Sequence, residues 1–145
     1  VSGWTTNLLT GLAEHLDAAA IGTWRPTGTY TAGETAIVIR GIPPAPDRLI
    51  TLAPYPVGSP AGRSTITHGI QIRMRASADP RDVDDLADAV FDLLDSAGPL
   101  RFGGVVVNQL YRQSYTSLGQ DSTGRWERSE NYYVDAERPT AHRPT

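Results

Sequence analysis

The sequence contains neither cysteine nor lysine. Without cysteine there can be no disulfide framework, thiolate zinc site or cysteine nucleophile, so packing must hold the fold together. All positive side chains are arginines. These suit planar ion pairs and protein interfaces better than lysines do, although a codon bias would leave the same mark. Basic charge is not in excess either. The 13 basic residues stand against 16 acidic ones, a formal net charge of -3, which argues against the clustered basic footprint of a nucleic-acid binder. No apolar run nears the roughly 20 residues needed to span a bilayer. No basic segment with a signal-type apolar core opens the chain, so synthesis and retention in the cytoplasm, with no membrane partner, are expected.

A length of 145 residues fits one domain. With 39% apolar residues, 14 Gly and 11 Pro, a compact body with long loops is expected. Trp4, Leu8, Leu9, Leu12, Ala13, Leu16, Ala19 and Ala20 recur at three- and four-residue steps. That spacing predicts a helix over 5–20, stopped by Gly22. Thr35 to Arg40 and Leu49 to Leu52 read as two strands with a proline-rich connection between them. From Ile66 to Ala76, the set Ile66, His68, Ile70, Ile72, Met74 and Ala76 alternates with polar residues, placing that set on the core face of a strand. The Pro/Gly-rich stretch from Pro54 to Arg63 just before it is expected to be a long hairpin arm.

Asp79 and Pro80 predict the N-cap and first residue of a second helix. Val83, Leu86, Ala87, Val90, Phe91 and Leu94 supply its apolar stripe, and Gly98 and Pro99 end it. The last third reads as a hairpin, with Val105 to Leu118 as one strand, 119–124 as the turn and Arg125 to Asp135 as the other. Its apolar residues do not separate onto one face, as would happen if both faces met protein. Together these elements predict an α+β domain over 1–136, with a mainly antiparallel sheet and both helices on one face. Residues 137–145 are expected to be an extended or disordered tail.

No cofactor is implied, and no constellation of catalytic or metal-binding residues emerges. Asp85, Asp88 and Asp92 share one face of the second helix, but a straight helix cannot wrap a cation as a loop does. They are expected to be a solvated acidic face, or one lining a channel through which DNA passes. His15, His68 and His142 lack metal-ligand spacing. His68 beside Ser64 or Ser117 would be the only conceivable base and nucleophile, and no Gly-x-Ser-x-Gly elbow supports a hydrolase. Trp126, Arg128, Tyr132 and Tyr133, with Pro54, Tyr55, Pro56 and Arg63 of the expected arm, are the candidates for subunit or partner contacts.

Three stretches carry a family likeness: Pro46 to Tyr55, Ile70 to Arg75 leading into Asp79, Pro80 and Asp84, and Gly124 to Val134 with its Asn131-Tyr132-Tyr133-Val134 ending. In these and in element order the chain resembles, over about 8–136, the tail terminator proteins of long-tailed phages, a family that includes minor capsid and minor tail proteins. It departs from that pattern in its proline-rich connections and in the Arg-Pro-Thr triplets of its tail. The resemblance implies a structural, non-enzymatic virion protein assembled in the host cytoplasm. It further implies a ring, usually hexameric, that caps the tail tube and meets the head completion (stopper) protein at the neck, with DNA only as passing cargo. A tail tube subunit or head-tail connector of the same design is the alternative.

Overall fold

The computed structural model describes residues 2–144. Helix α1 spans Trp4–Ala18, and its stripe of Leu8, Leu9, Leu12, Ala13 and Leu16 is buried, as the spacing requires. It starts at Gly3 without a side-chain cap and ends before Ala20, whose φ is 60°. One position on α1 has no room for a side chain. A Cβ on Gly11 would lie 2.2 Å from the backbone nitrogen of Gly103, and one on Gly103 would lie 2.1 Å from the Asn7 carbonyl oxygen. Helix and turn therefore meet backbone to backbone, which only glycine permits.

Among the described residues seven strands form one sheet in the order β1-β2-β3-β4-β7-β6-β5. They are β1 Thr23–Trp24, β2 Thr35–Ile39, β3 Arg48–Gly58, β4 Thr65–Arg75, β5 Leu100–Phe102, β6 Val105–Gln120 and β7 Trp126–Glu137. β1, β2 and β3 run parallel, and every other pair is antiparallel. The sheet is thus mixed but mostly antiparallel. Helix α2, Pro80–Leu94, begins as expected: the Asp79 side chain accepts the Arg81 N–H at 3.0 Å, and Pro80 takes the first turn. Both helices share one apolar core with Ile37, Ile50, Leu52, Ile70, Ile72, Met74, Tyr132, Val134 and Ala136. The even-numbered residues of β4 and β7 all face this core, so both helices lie on one side of the sheet.

The structure corrects the expected arm. Half of 54–63, as far as Gly58, is the second half of β3, with Pro54 opposite Ile70, Tyr55 opposite Gly69 and Pro56 opposite His68. No long hairpin projects; only a short turn separates Gly58 from Thr65. Proline is tolerated here because β2 ends opposite Leu52. The Arg40 N–H donates to the Leu52 carbonyl at 2.9 Å, so the main-chain groups of residue 52 point toward β2. Residues 54 and 56 repeat that direction two and four places on, where no strand waits for a donor.

The connection between β2 and β3 folds over the face of the sheet opposite the helices. Arg75, only 2% exposed, holds it by donating to the carbonyls of Pro43, Pro46 and Asp47 at 2.7–2.9 Å. Arg125 adds bonds to the Pro44 carbonyl at 2.7 Å and the Asp47 carboxylate at 3.1 Å. Residues 138–144 fold back rather than trail. The Arg138 N–H donates to the Ser64 carbonyl, and the Arg143 guanidinium reaches the carbonyls of Ser59, Pro60 and Arg63 at 2.8–3.1 Å. The last residue of the expected tail, Thr145, lies outside the described residues.

Candidate assembly surface

Strand β7 organises the polar features of the molecule. Its even-numbered residues all turn toward the helices, but the series Trp126, Arg128, Glu130, Tyr132, Val134, Ala136 passes from polar to apolar along the strand. Glu130 and Tyr132 are both 0% exposed. Around Glu130 stand Arg128, whose Nε is 2.8 Å from Oε2, and Arg112, whose guanidinium is 3.4 Å from the same oxygen. The Tyr132 hydroxyl donates to Oε1 at 3.2 Å. Burial pushes the Glu130 pKa up, against the opposing pull of Arg128, Arg112 and the Tyr132 hydroxyl. Burial likewise raises the Tyr132 pKa, and Glu130 raises it further.

The arginines extend this cluster outward. The Arg128 guanidinium sits 3.7 Å from the ring centre of Tyr115 and bonds Asp84 of α2 at 3.1 Å. Arg112 lies between Phe91 and Tyr115, 4.2 Å and 4.7 Å from their ring centres. Cation-on-ring stacking of this kind adds about 0.5–2 kcal/mol per contact, depending on desolvation. The ladder Phe91, Arg112, Tyr115, Arg128 fastens the far half of β6 to α2.

The opposite face carries a second set of aromatic and amide groups. The Tyr55 ring lies across Gly69, where a Cβ would come within 2.3 Å of a ring carbon. Its hydroxyl donates to Asn131 Oδ1 at 3.2 Å, and Asn131 Nδ2 donates to Ser114 Oγ at 3.0 Å. Tyr133 meets Tyr111 edge to face at 5.9 Å. Of the sequence candidates, then, Tyr55 and Tyr133 come together on this face beyond the covering loop. Pro54 and Pro56 lie along the β3 edge, and Arg63 is exposed in the hairpin turn. Tyr132 is wholly enclosed in the chain's own core, Arg128 nearly so, and Trp126 packs partly buried against that core. Asp85, Asp88 and Asp92 are exposed on α2.

Among the described residues no group of three or more His, Cys, Asp or Glu could hold a metal ion. His68 does not assemble a hydrolytic pair. It stacks edge-on against Trp4 at 5.3 Å, and its Nε2 is enclosed without a hydrogen-bond partner. Burial, helped by Arg138, lowers its pKa. Ser64 instead donates to Glu137, and Ser117 stands opposite Arg128 at the far end of β6.

The Arg112–Glu130 cluster was not foreseen, though one signal was available. Reading β7 strictly by parity puts Arg128 and Glu130 on the side of Tyr132, Val134 and Ala136. β6 hides its own pattern, because register shifts at Val107/Gln109, Arg112/Ser114 and Ser117/Gly119 each insert an unpaired residue and reverse the alternation.

The fold and this surface define an α+β domain with a buried ion cluster on one face of its sheet and ordered aromatics on the other. Comparison with known sequences and structures identifies its family. Residues 15–138 match the family described as "Bacteriophage tail terminator protein", and the chain belongs to that family. It is a non-enzymatic structural component of the virion tail. A chain of the solved structure "Virion of native gene transfer agent (GTA) particle" shares the fold, with a TM-score of 0.64 and 16% identity over 94% of this chain and 99% of that one. No curated protein matches.

Proposed function

We propose that the chain assembles head to tail into a hexameric ring that caps the tail tube and presents its other side to the head completion (stopper) protein at the neck. The family match along 15–138 carries this reading. Ring closure needs two unlike, complementary surfaces on each copy, since a self-complementary patch stops at a dimer. The molecule has unlike surfaces: one sheet face is sealed by helices, and the other bears Tyr55 and Tyr133 with Arg63 at the nearby turn. The exposed carboxylates of Asp85, Asp88 and Asp92 give α2 an acidic face at the surface of the domain.

The test is to mix the protein with tail tube subunits and image the products by negative-stain microscopy. Tubes of fixed length closed at one end by a ring are expected. Tubes that continue to lengthen without caps would sink the proposal. Filaments of this protein alone at high concentration would instead favour a tube subunit.

A further inference from the structure

We propose that the outer edge of β6, from Gln113 to Gln120, is a docking strand for an extended segment of an unlike chain of the virion that carries a basic residue toward α2. This rests on the chain's place in the virion and not on the ring.

The near half of β6 is covered in sequence. β5 pairs with Val105 to Val107. The Leu110 N–H donates to the Ala97 carbonyl at 3.0 Å, and the Ser96 N–H donates to the Leu110 carbonyl at 2.8 Å. The Arg112 N–H donates to the Asp95 side chain at 2.9 Å. Beyond Arg112, among the described residues, no strand or bridge lies on the outer side. Leu110 and Arg112 stand opposite even-numbered β7 residues and point their N–H groups outward. Tyr115 and Ser117 also stand opposite even-numbered residues, Glu130 and Arg128, so their N–H groups point outward too.

This edge lacks two of the usual defences, charge and proline, and keeps a third in the bulges at either end of its straight run. Residues 113–120, Gln-Ser-Tyr-Thr-Ser-Leu-Gly-Gln, contain no charge and no proline, the devices that normally keep open edges from pairing. The bulges confine the straight run to 114–117, so the paired stretch is short. Tyr115 is 53% exposed and Leu118, in the bulge that ends the run, 44%, giving the edge two apolar contacts. The ladder on Arg112 and Arg128 holds it rigid in advance, which lowers the entropy cost of docking.

The occupant follows from the rest of the molecule. A head-to-tail copy cannot continue the sheet, because the other edge offers only the two residues of β1 and an overhang of β3 blocked by Pro54 and Pro56. Two β6 edges paired with each other would close a two-fold dimer and consume both. An unlike chain is left. On α2, helical spacing puts Asp84, Asp88, Phe91 and Asp95 on the flank toward β6. Asp84 and Asp95 are engaged by Arg128 and the Arg112 N–H, whereas Asp88 and neighbouring Asp92 have no ion-pair partner among the described residues. These carboxylates would face a basic side chain on the docked segment.

Hydrogen exchange on intact virions and on the free protein tests the edge directly. The Tyr115 and Ser117 amides should exchange at least about tenfold more slowly in the virion, while the Leu110 and Arg112 amides, already bonded to Ala97 and Asp95, keep their rates. Equal rates at Tyr115 and Ser117 in both samples would overturn the proposal. Virions with a photo-crosslinking benzoylphenylalanine in place of Leu118 identify the occupant: an adduct to an unlike chain supports it, and an adduct to a second copy, or none, overturns it. Capped tubes with an unprotected β6 edge would remove this proposal alone. Uncapped tubes with a protected edge would remove the ring alone.

Discussion

The core has two ends that are built differently. Under α1 it is apolar and so tightly closed that Gly11 rests on the main chain of Gly103. Under the β6 flank of α2 it holds a carboxylate, two guanidinium groups and a phenol. Tight apolar packing tolerates no added volume, whereas a buried ion cluster tolerates no missing partner, so the two ends should fail in opposite ways.

Glu130→Ala should cost most. Leaving Arg112 and Arg128 without their shared carboxylate should destabilise the fold by about 3–5 kcal/mol, measured by urea unfolding. A loss below about 1 kcal/mol would mean that water already screens the cluster. Acid titration adds a signature. Because Glu130 has a raised pKa when folded, the native state binds more protons than the unfolded chain above the ordinary value of 4.5, and this residue's contribution falls as pH rises through that window. Glu130→Gln should remove that fall. Glu34, held at about 2 by Arg25, and Glu137, lowered by Asn108 and Thr65, act in the opposite sense, so their contribution is lost as pH drops below the usual carboxylate range.

Gly11→Ala probes the apolar end. Alanine is the better helix former, yet its methyl would meet backbone that cannot rotate away, and a net cost of about 1–3 kcal/mol is expected from overpacking. A thermal melt showing Gly11→Ala more stable than the native chain would show that helix and turn can part without cost.

The caps of the two helices give the smallest effects and sharpen the same contrast. Asp79→Ala should cost about 1 kcal/mol by removing the bond to the Arg81 N–H. Gly3→Asp should gain a few tenths of a kcal/mol at the uncapped start of α1, where a Cβ meets nothing within 4 Å. Calorimetry showing a fall at Gly3 would point to a role for that glycine beyond capping.

The same contrast governs what the sequence revealed. The stripes of α1 and α2 and the alternation of β4 could be read because apolar side chains at regular spacing have one good place to go. The Glu130 cluster shows only in the parity of β7, since Arg128, Glu130 and Arg112 look like surface residues until two strands and a helix bring them together. β5 is three residues long and has no period to detect. The parallel pairing of β2 with β3 was also hidden, because eight intervening residues would ordinarily suggest a hairpin. β2 is only five residues long, so an extended return of that length can still run back beside it. The arm was misread because two prolines signal a loop unless the missing neighbour of β3 is known. Among the candidate contacts, parity alone could have separated Tyr133 from Tyr132.

Arg75, Arg125 and Arg143 grip loops chiefly through main-chain oxygens. A grip of that kind does not read side chains. Apart from Gly62, whose φ of 80° favours glycine, residues 41–46 and 59–63 can exchange their side chains while staying anchored, so the surface they present can diverge between relatives without loosening the domain. Lysine, a single ammonium without the fork, would not hold several carbonyls in the same way.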